Sequence, residues 1–224
     1  MANDYFRFKQ FTVSQARCAM KVGTDGTLLG AWARGGQRVL DIGTGTGLIA
    51  LMMAQRFSSA HVTGIDINPD AVLQAKTNVT LSPFADRISI EQADVKHFQA
   101  QPFDAIVSNP PFFVDSLESP DEQRTLARHA GSLSYAALMA AAWQLLTDEG
   151  ELSVIIPFDC KARLEADVMV QGFFKVREWA VKTTPQKMPR RFLMAFRKHP
   201  GVLDIGEGAI GSAWYHELTK DFYL

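Results

Sequence analysis

Cysteine is nearly absent: Cys18 and Cys160 are too few and too far apart for a disulfide framework or a thiolate metal centre. Two incidental thiols suit a reducing compartment, so a cytoplasmic location is expected. No apolar run approaches the roughly 18–20 residues of a membrane span, and residues 1–9 lack the apolar core of a secretory leader. No membrane partner is expected. His61, His97 and His129 have no partners at ligand spacing, so no metal is expected either. Net charge is also small, with 23 basic residues against 24 acidic. The total therefore argues neither for nor against a polyanionic partner. What is present is an ordinary globular composition, 47% hydrophobic and 21% charged over 224 residues. That supports a sizeable core in one domain over 1–224. Its expected parts are an N-terminal arm and helix (1–34), a core sheet (35–199) and a tail (200–224).

Residues 39–47 read V-L-D-I-G-T-G-T-G, an apolar strand that enters a glycine turn and then a helix. Glycine at 43, 45 and 47 allows positive φ and close approach of a ligand to the main chain. A phosphate-gripping loop would need a lysine after the last glycine, and Leu48 stands there. A dinucleotide fingerprint would need a wider gap between the last two glycines than Gly45 and Gly47 provide. Acidic residues surround the turn instead. Asp41 precedes it, a second strand ends on Asp66 where a ribose hydroxyl needs an acceptor, and a third leads to Asp94. Carboxylates suit a cofactor with a cationic amino-acid end, which points to S-adenosylmethionine.

From Arg38 onward strands and helices alternate: strand 38–42, helix 47–57, strand 61–66, helix 69–80, then strands 87–91 and 103–108. Helix 135–146 follows, closed by Gly150, with strand 151–157 and helix 161–171 after it. Pro69 suits a first helical position, where its missing N–H costs nothing. Segments 173–182 and 192–198 have no helix between them, which predicts an antiparallel hairpin at the sheet edge. Residues 113–131 read as a loop and the stretch after Pro200 as a glycine-rich tail. Near the start, residues 6–14 alternate like a short strand or extended arm. Thr24 or Asp25 is expected to cap a helix running to Ala33, whose N-terminus helps wall the cofactor pocket. The fold class is α/β, a Rossmann-like doubly wound sheet, mostly parallel with an antiparallel edge hairpin. Such sheets bind ligands at strand carboxyl ends. Residues 41–47, 66, 94 and 109–112 all follow such ends.

Asn109, Pro110, Pro111 and Phe112 form the second motif. It suits an exocyclic amine on an aromatic ring, a poor nucleophile because its lone pair is delocalised. The Asn109 side-chain oxygen and the Pro110 carbonyl would accept the amine hydrogens and stabilise charge as a methyl arrives. The prolines stiffen the loop, and Phe112 can stack on a base. Charge is also unevenly placed: 161–199 holds ten Lys and Arg against three acids, and 1–40 holds six against two. A polyanion surface or a solvated face would each produce this. Lys187, Arg190 and Arg191 are the first RNA-binding candidates.

The glycine loop with Asp41, Asp66 and residues 109–112 resembles the class I S-adenosylmethionine-dependent methyltransferases of the amino type. Segments 8–11, 19–32 and 220–224 are similar, more narrowly, to bacterial methyltransferases that modify the adenine 3′ of the anticodon in valine tRNA. The resemblance covers essentially the whole chain. It implies transfer to adenine N6 in a tRNA substrate. The cofactor would lie against Asp41, Gly43, Thr44, Gly45, Gly47, Asp66, Ile67, Asp94, Val95 and Asn109, and the target base against 109–112. The second motif also fits a ribosomal RNA guanine N2 or a protein glutamine amide. A non-catalytic RNA-binding module on the same fold is the alternative of another class, and it has no use for two amine-directed acceptors.

Overall fold

The computed structural model describes residues 4–16, 21–111 and 133–224. Phe112, Cys18 and the loop expected over 113–131 lie outside the described residues.

The centre of the main sheet is β3 (Arg38–Ile42), buried from Val39 onward. Its alternate residues enter opposite cores, because side chains of a strand point to alternate faces. Val39 joins a cluster with α1 (Thr24–Trp32), α2 (Leu48–Arg56) and α3 (Pro69–Thr80). Leu40 and Ile42 join the opposite cluster with α4 (Tyr135–Leu145) and α5 (Lys161–Gln171). Each fully buried aliphatic side chain in these layers contributes about 1.5–3 kcal/mol. The layers give the sheet its doubly wound form.

Parallel to β3 run β4 (His61–Asp66) on one side and β6 (Phe103–Ser108) on the other. Beyond them lie β5 (Ile88–Gln92) next to β4, and β7 (Leu146–Pro157) next to β6. The antiparallel hairpin is β8 (Phe174–Lys182) with β9 (Arg191–Arg197), and β9 also pairs antiparallel with β7. Outside the hairpin, β10 (Asp204–Ala209) pairs parallel with β8, followed by α6 (Ala213–Thr219) with Ser212 as its cap. The order is β10-β8-β9-β7-β6-β3-β4-β5. Near the start, β1 (Tyr5–Arg7) and β2 (Thr12–Ser14) form a separate antiparallel pair.

Three local expectations change. The segment read as tail supplies β10 and α6. β7 begins directly after α4 rather than at 151, and Gly150 does not stop the helix. A Cβ there would stand 2.7 Å from the Leu146 side chain, so glycine serves close approach. Neither Thr24 nor Asp25 caps α1. Gly23 holds that position in extended backbone and offers no side-chain cap, while its carbonyl accepts from the Thr27 hydroxyl at 3.3 Å.

Candidate active site

The glycine loop between β3 and α2 takes positive φ at Gly43 (72°), Gly45 (55°) and Gly47 (80°), where a side chain is strained. Backbone bonds fix it to β4: Gly43 and Thr44 N–H both donate to the Ile65 carbonyl, at 2.9 and 3.0 Å. Asp66, at the end of β4, accepts from Gly45 N–H at 2.9 Å through Oδ2 and from Asn68 N–H at 2.9 Å through Oδ1. Asn68, not Asp66, caps α3.

Asp41 lies beneath the loop and off the cavity wall. It is fully buried; its Oδ2 accepts from the Thr44 hydroxyl at 2.7 Å and from Ala50 N–H at 3.1 Å, tying the loop to the first turn of α2. Its Oδ1 has no partner. Burial pushes this carboxyl up to about 7, against the two bonds that lower it, and the nearby Asp66 charge adds to the rise. Gly47 also stands back from the cavity. It is the left-handed N-cap of α2, with Ala75 against it.

In front of the loop opens a cavity of about 570 Å3, within the range of small-molecule sites. Gly43, Thr44 and Gly45 form its floor, Asp66 and Ile67 one side, and Asp94 and Val95 the rim beyond β5. Asp94 accepts from Lys96 N–H at 3.0 Å. Lys21 to Gly26, at the start of α1, form a further wall, as the expected helix N-terminus requires. Asn109, Pro110 and Pro111 close the far end. Ser108 anchors them, since its hydroxyl donates to the Ile42 carbonyl at 2.9 Å and locks β6 to β3. The Asn109 Oδ1 is buried without a partner. Pro110 is buried and Pro111 exposed.

The basic candidates separate. Arg191, the first residue of β9, lies on the cavity wall with its Nε on Asp25 at 2.7 Å. Lys187 and Arg190 are exposed in the connection between β8 and β9 and do not line the cavity. Much of the positive run counted in 161–199 is answered locally. Lys161 and Lys175 pair with Glu178, Arg177 and Arg197 with Glu151, Lys182 with Glu207, and Lys198 with Asp148.

The residues present fit S-adenosylmethionine. A Cβ built on Gly43 meets nothing within 4 Å, so the loop faces open space. Asp66 and Asp94 stand on the cavity side for cationic and hydroxyl groups, beside Asp25 with its Arg191 partner, and Ile67 and Val95 offer apolar contact. Sequence reading took Asp25 only as a helix cap and missed Gln15 and Asn78. Asn78 is 1% exposed on α3, and its amide donates to the carbonyl of Thr46 at 2.8 Å. The only available signal was a polar residue at an inward helical position.

The family model of the methyltransferase small domain matches residues 28–184. A tRNA1(Val) (adenine(37)-N6)-methyltransferase of Phocaeicola vulgatus is 48% identical, over 100% of this chain and 99% of its own. Its namesake from Tolumonas auensis is 42% identical, over 100% of this chain and 98% of its own. Among solved structures, one described as a predicted O-methyltransferase from Agrobacterium tumefaciens superposes with a TM-score of 0.69 at 20% identity, covering 88% of this chain and 96% of its own. A glycopeptide N-methyltransferase complexed with S-adenosyl-L-methionine gives 0.58 at 13% identity, covering 81% and 90%. These two share the fold. No helix of the described residues is long and apolar enough to cross a membrane.

Proposed function

Since the chain belongs to the methyltransferase small-domain family, in the branch of the tRNA1(Val) (adenine(37)-N6)-methyltransferases, we propose that its cavity brings adenine 37 of valine tRNA to Asn109 and Pro110. The enzyme is a tRNA adenine-N6 methyltransferase that uses S-adenosylmethionine, which supplies an electrophilic methyl group when bound. The observation that carries the assignment of roles is that Asn109, a residue of the cavity wall, has a buried Oδ1 without a partner. An unpaired buried acceptor costs about 1–3 kcal/mol, and an incoming amine removes that cost.

Asp66, Ile67, Asp94 and Val95 would hold the cofactor against the loop 43–45. Asn109 Oδ1 and the Pro110 carbonyl would accept the two N6 hydrogens. Positive charge grows on that nitrogen as the methyl arrives, so both acceptors bind the transition state more tightly than the ground state. The rigid Pro110 and Pro111 hold them in place beforehand. The N6 proton is lost once the nitrogen is cationic, when water suffices as acceptor. Phe112 would stack on the extruded base. Lys187, Arg190 and Arg191, with the basic N-terminal arm, would meet the RNA backbone. The three parts of the chain, 1–34, 35–199 and 200–224, would act as one domain, in the cytoplasm where tRNA is modified.

The test is incubation with labelled S-adenosylmethionine and fractionated tRNA from a strain lacking this protein, followed by nucleoside analysis. Label recovered as N6-methyladenosine in valine tRNA supports the reading. Label in guanine, in protein or in no fraction overturns it.

A further inference from the structure

The two long walls of the cavity hang on one dipeptide of the N-terminal arm. Thr46 belongs to the glycine-loop wall and Val22 to the wall formed by the segment that leads into α1. Behind the loop, the Asn78 amide donates to Thr46 O at 2.8 Å and to Ser14 O at 2.9 Å, while its Oδ1 accepts from Ser14 N–H at 2.9 Å. The next arm residue, Gln15, accepts from Val22 N–H at 2.7 Å through Oε1. Gln15 and Asn78 are both buried, at 6% and 1% exposure. Neither side chain faces the cavity.

The arm that carries these bonds is itself fixed. Phe8, Phe11 and Val13 are buried in the core cluster of α1 to α3. Phe8 stacks on Phe11 at 4.8 Å and on Tyr223 at 5.9 Å, and Lys9 N–H donates to Phe222 O at 2.8 Å. Gln15 N–H donates in turn to Asp4 O at 2.8 Å. Ser14 and Gln15 are therefore held at both their backbone and their neighbours.

We propose that Ser14 and Gln15 are a brace that sets the separation of the two cavity walls, with Gln15 and Asn78 as positioning residues for cofactor binding. This rests on the reading that the cavity takes S-adenosylmethionine. Gln15 acts through Val22 and Asn78 through the loop carbonyl of Thr46. Buried amide bonds of this kind leave a donor or acceptor stranded when one partner is removed. Here the stranded groups are the backbone of the walls, which shift to find water.

The experiment measures S-adenosylmethionine binding by calorimetry, and kcat and KM on tRNA, for the full chain and three variants. Gln15→Ala removes the acceptor of Val22 N–H, Gln15→Glu keeps it, and Asn78→Asp keeps the bond from Ser14 N–H but loses both donors. Gln15→Ala should raise the cofactor Kd and KM about tenfold, with kcat at saturating cofactor within threefold of the parent. Gln15→Glu should restore affinity to within threefold. Asn78→Asp should show the larger loss, and if it fails to fold, Gln15→Ala decides alone. Cofactor affinity of Gln15→Ala within twofold of the parent, with only the melting temperature lowered, overturns the brace. A parent chain that does not bind S-adenosylmethionine overturns the cofactor reading beneath it.

Discussion

Asp41→Asn probes the charge beneath the glycine loop. The folded carboxyl is raised from 3.8 to about 7, chiefly by burial. At about 1.4 kcal/mol per pH unit, that shift corresponds to about 4 kcal/mol. The sign follows from proton counts. Between these two values the unfolded chain has lost the proton and the folded chain keeps it, so stability falls as pH rises and levels off above about pH 8. Asparagine cannot ionise, and all other groups cancel in the difference between the two proteins. The stability of the parent relative to Asp41→Asn should therefore fall by about 2–3 kcal/mol between pH 5 and pH 7. The offset is also defined. At pH 5 the parent's proton sits on the unpartnered Oδ1, where the variant places its amide nitrogen, so each protein leaves a buried donor there and the offset is small. The variant should match the parent closely at pH 5 and be the more stable protein by pH 8. Urea unfolding of both proteins at four pH values measures it. A difference constant with pH to within about 0.5 kcal/mol would refute the reasoning, because Asp41 would then be ionised throughout.

Asn109→Ala should lower kcat by about 10²–10³ with little change in cofactor affinity, by analogy with loss of one oxyanion-hole donor; near-normal turnover on tRNA would make the loop a scaffold. Asp66→Ala should weaken S-adenosylmethionine binding by about 1–3 kcal/mol, partly by releasing Gly45 N–H, and unchanged calorimetry would remove it from the site. Replacing Lys187 and Arg190 together by Ala should lower tRNA affinity and flatten its salt dependence, leaving cofactor binding intact. Normal methylation of tRNA at moderate salt would mark that connection as a solvated turn.

The sheet was legible because its central strands are short apolar runs with helices spaced between them, and β3 to β6 lie within a residue of their expected bounds. The glycine loop was legible from spacing alone, since three positive-φ positions leave few substitutes. β10 was not, because Gly206 and Gly208 read as breakers. They are there for room: a Cβ at Gly206 would sit 2.2 Å from the Trp179 ring, and one at Gly208 2.0 Å from Trp214. Those rings stack at 6.4 Å over the strand, and no local pattern announces a partner so far away in sequence. Asp41 and Asp66 look alike in sequence, yet one is buried under the loop and the other borders the cavity. The net charge of 161–199 likewise conceals differences of environment. Most of its cations meet carboxylates brought from other elements, such as Glu151 between Arg177 and Arg197.

The reversed direction of β9 has an evolutionary consequence. A parallel strand there would need a crossover helix back to the amino edge. The antiparallel pairing instead lets residues 183–190 join β8 to β9 at the same edge as the glycine loop, with Arg190 N–H held by Val181 O at 2.8 Å. This connection is a cassette hung from two strands. Its ends are clamped by the ladder, and doubling its length costs only about 0.6 kcal/mol in closure entropy. Insertions and new charges there leave β3, β4 and the loop between β3 and α2 in register. On the proposed reading of Lys187 and Arg190 as RNA contacts, choice of RNA and transfer of the methyl group would be free to diverge at separate rates along one chain.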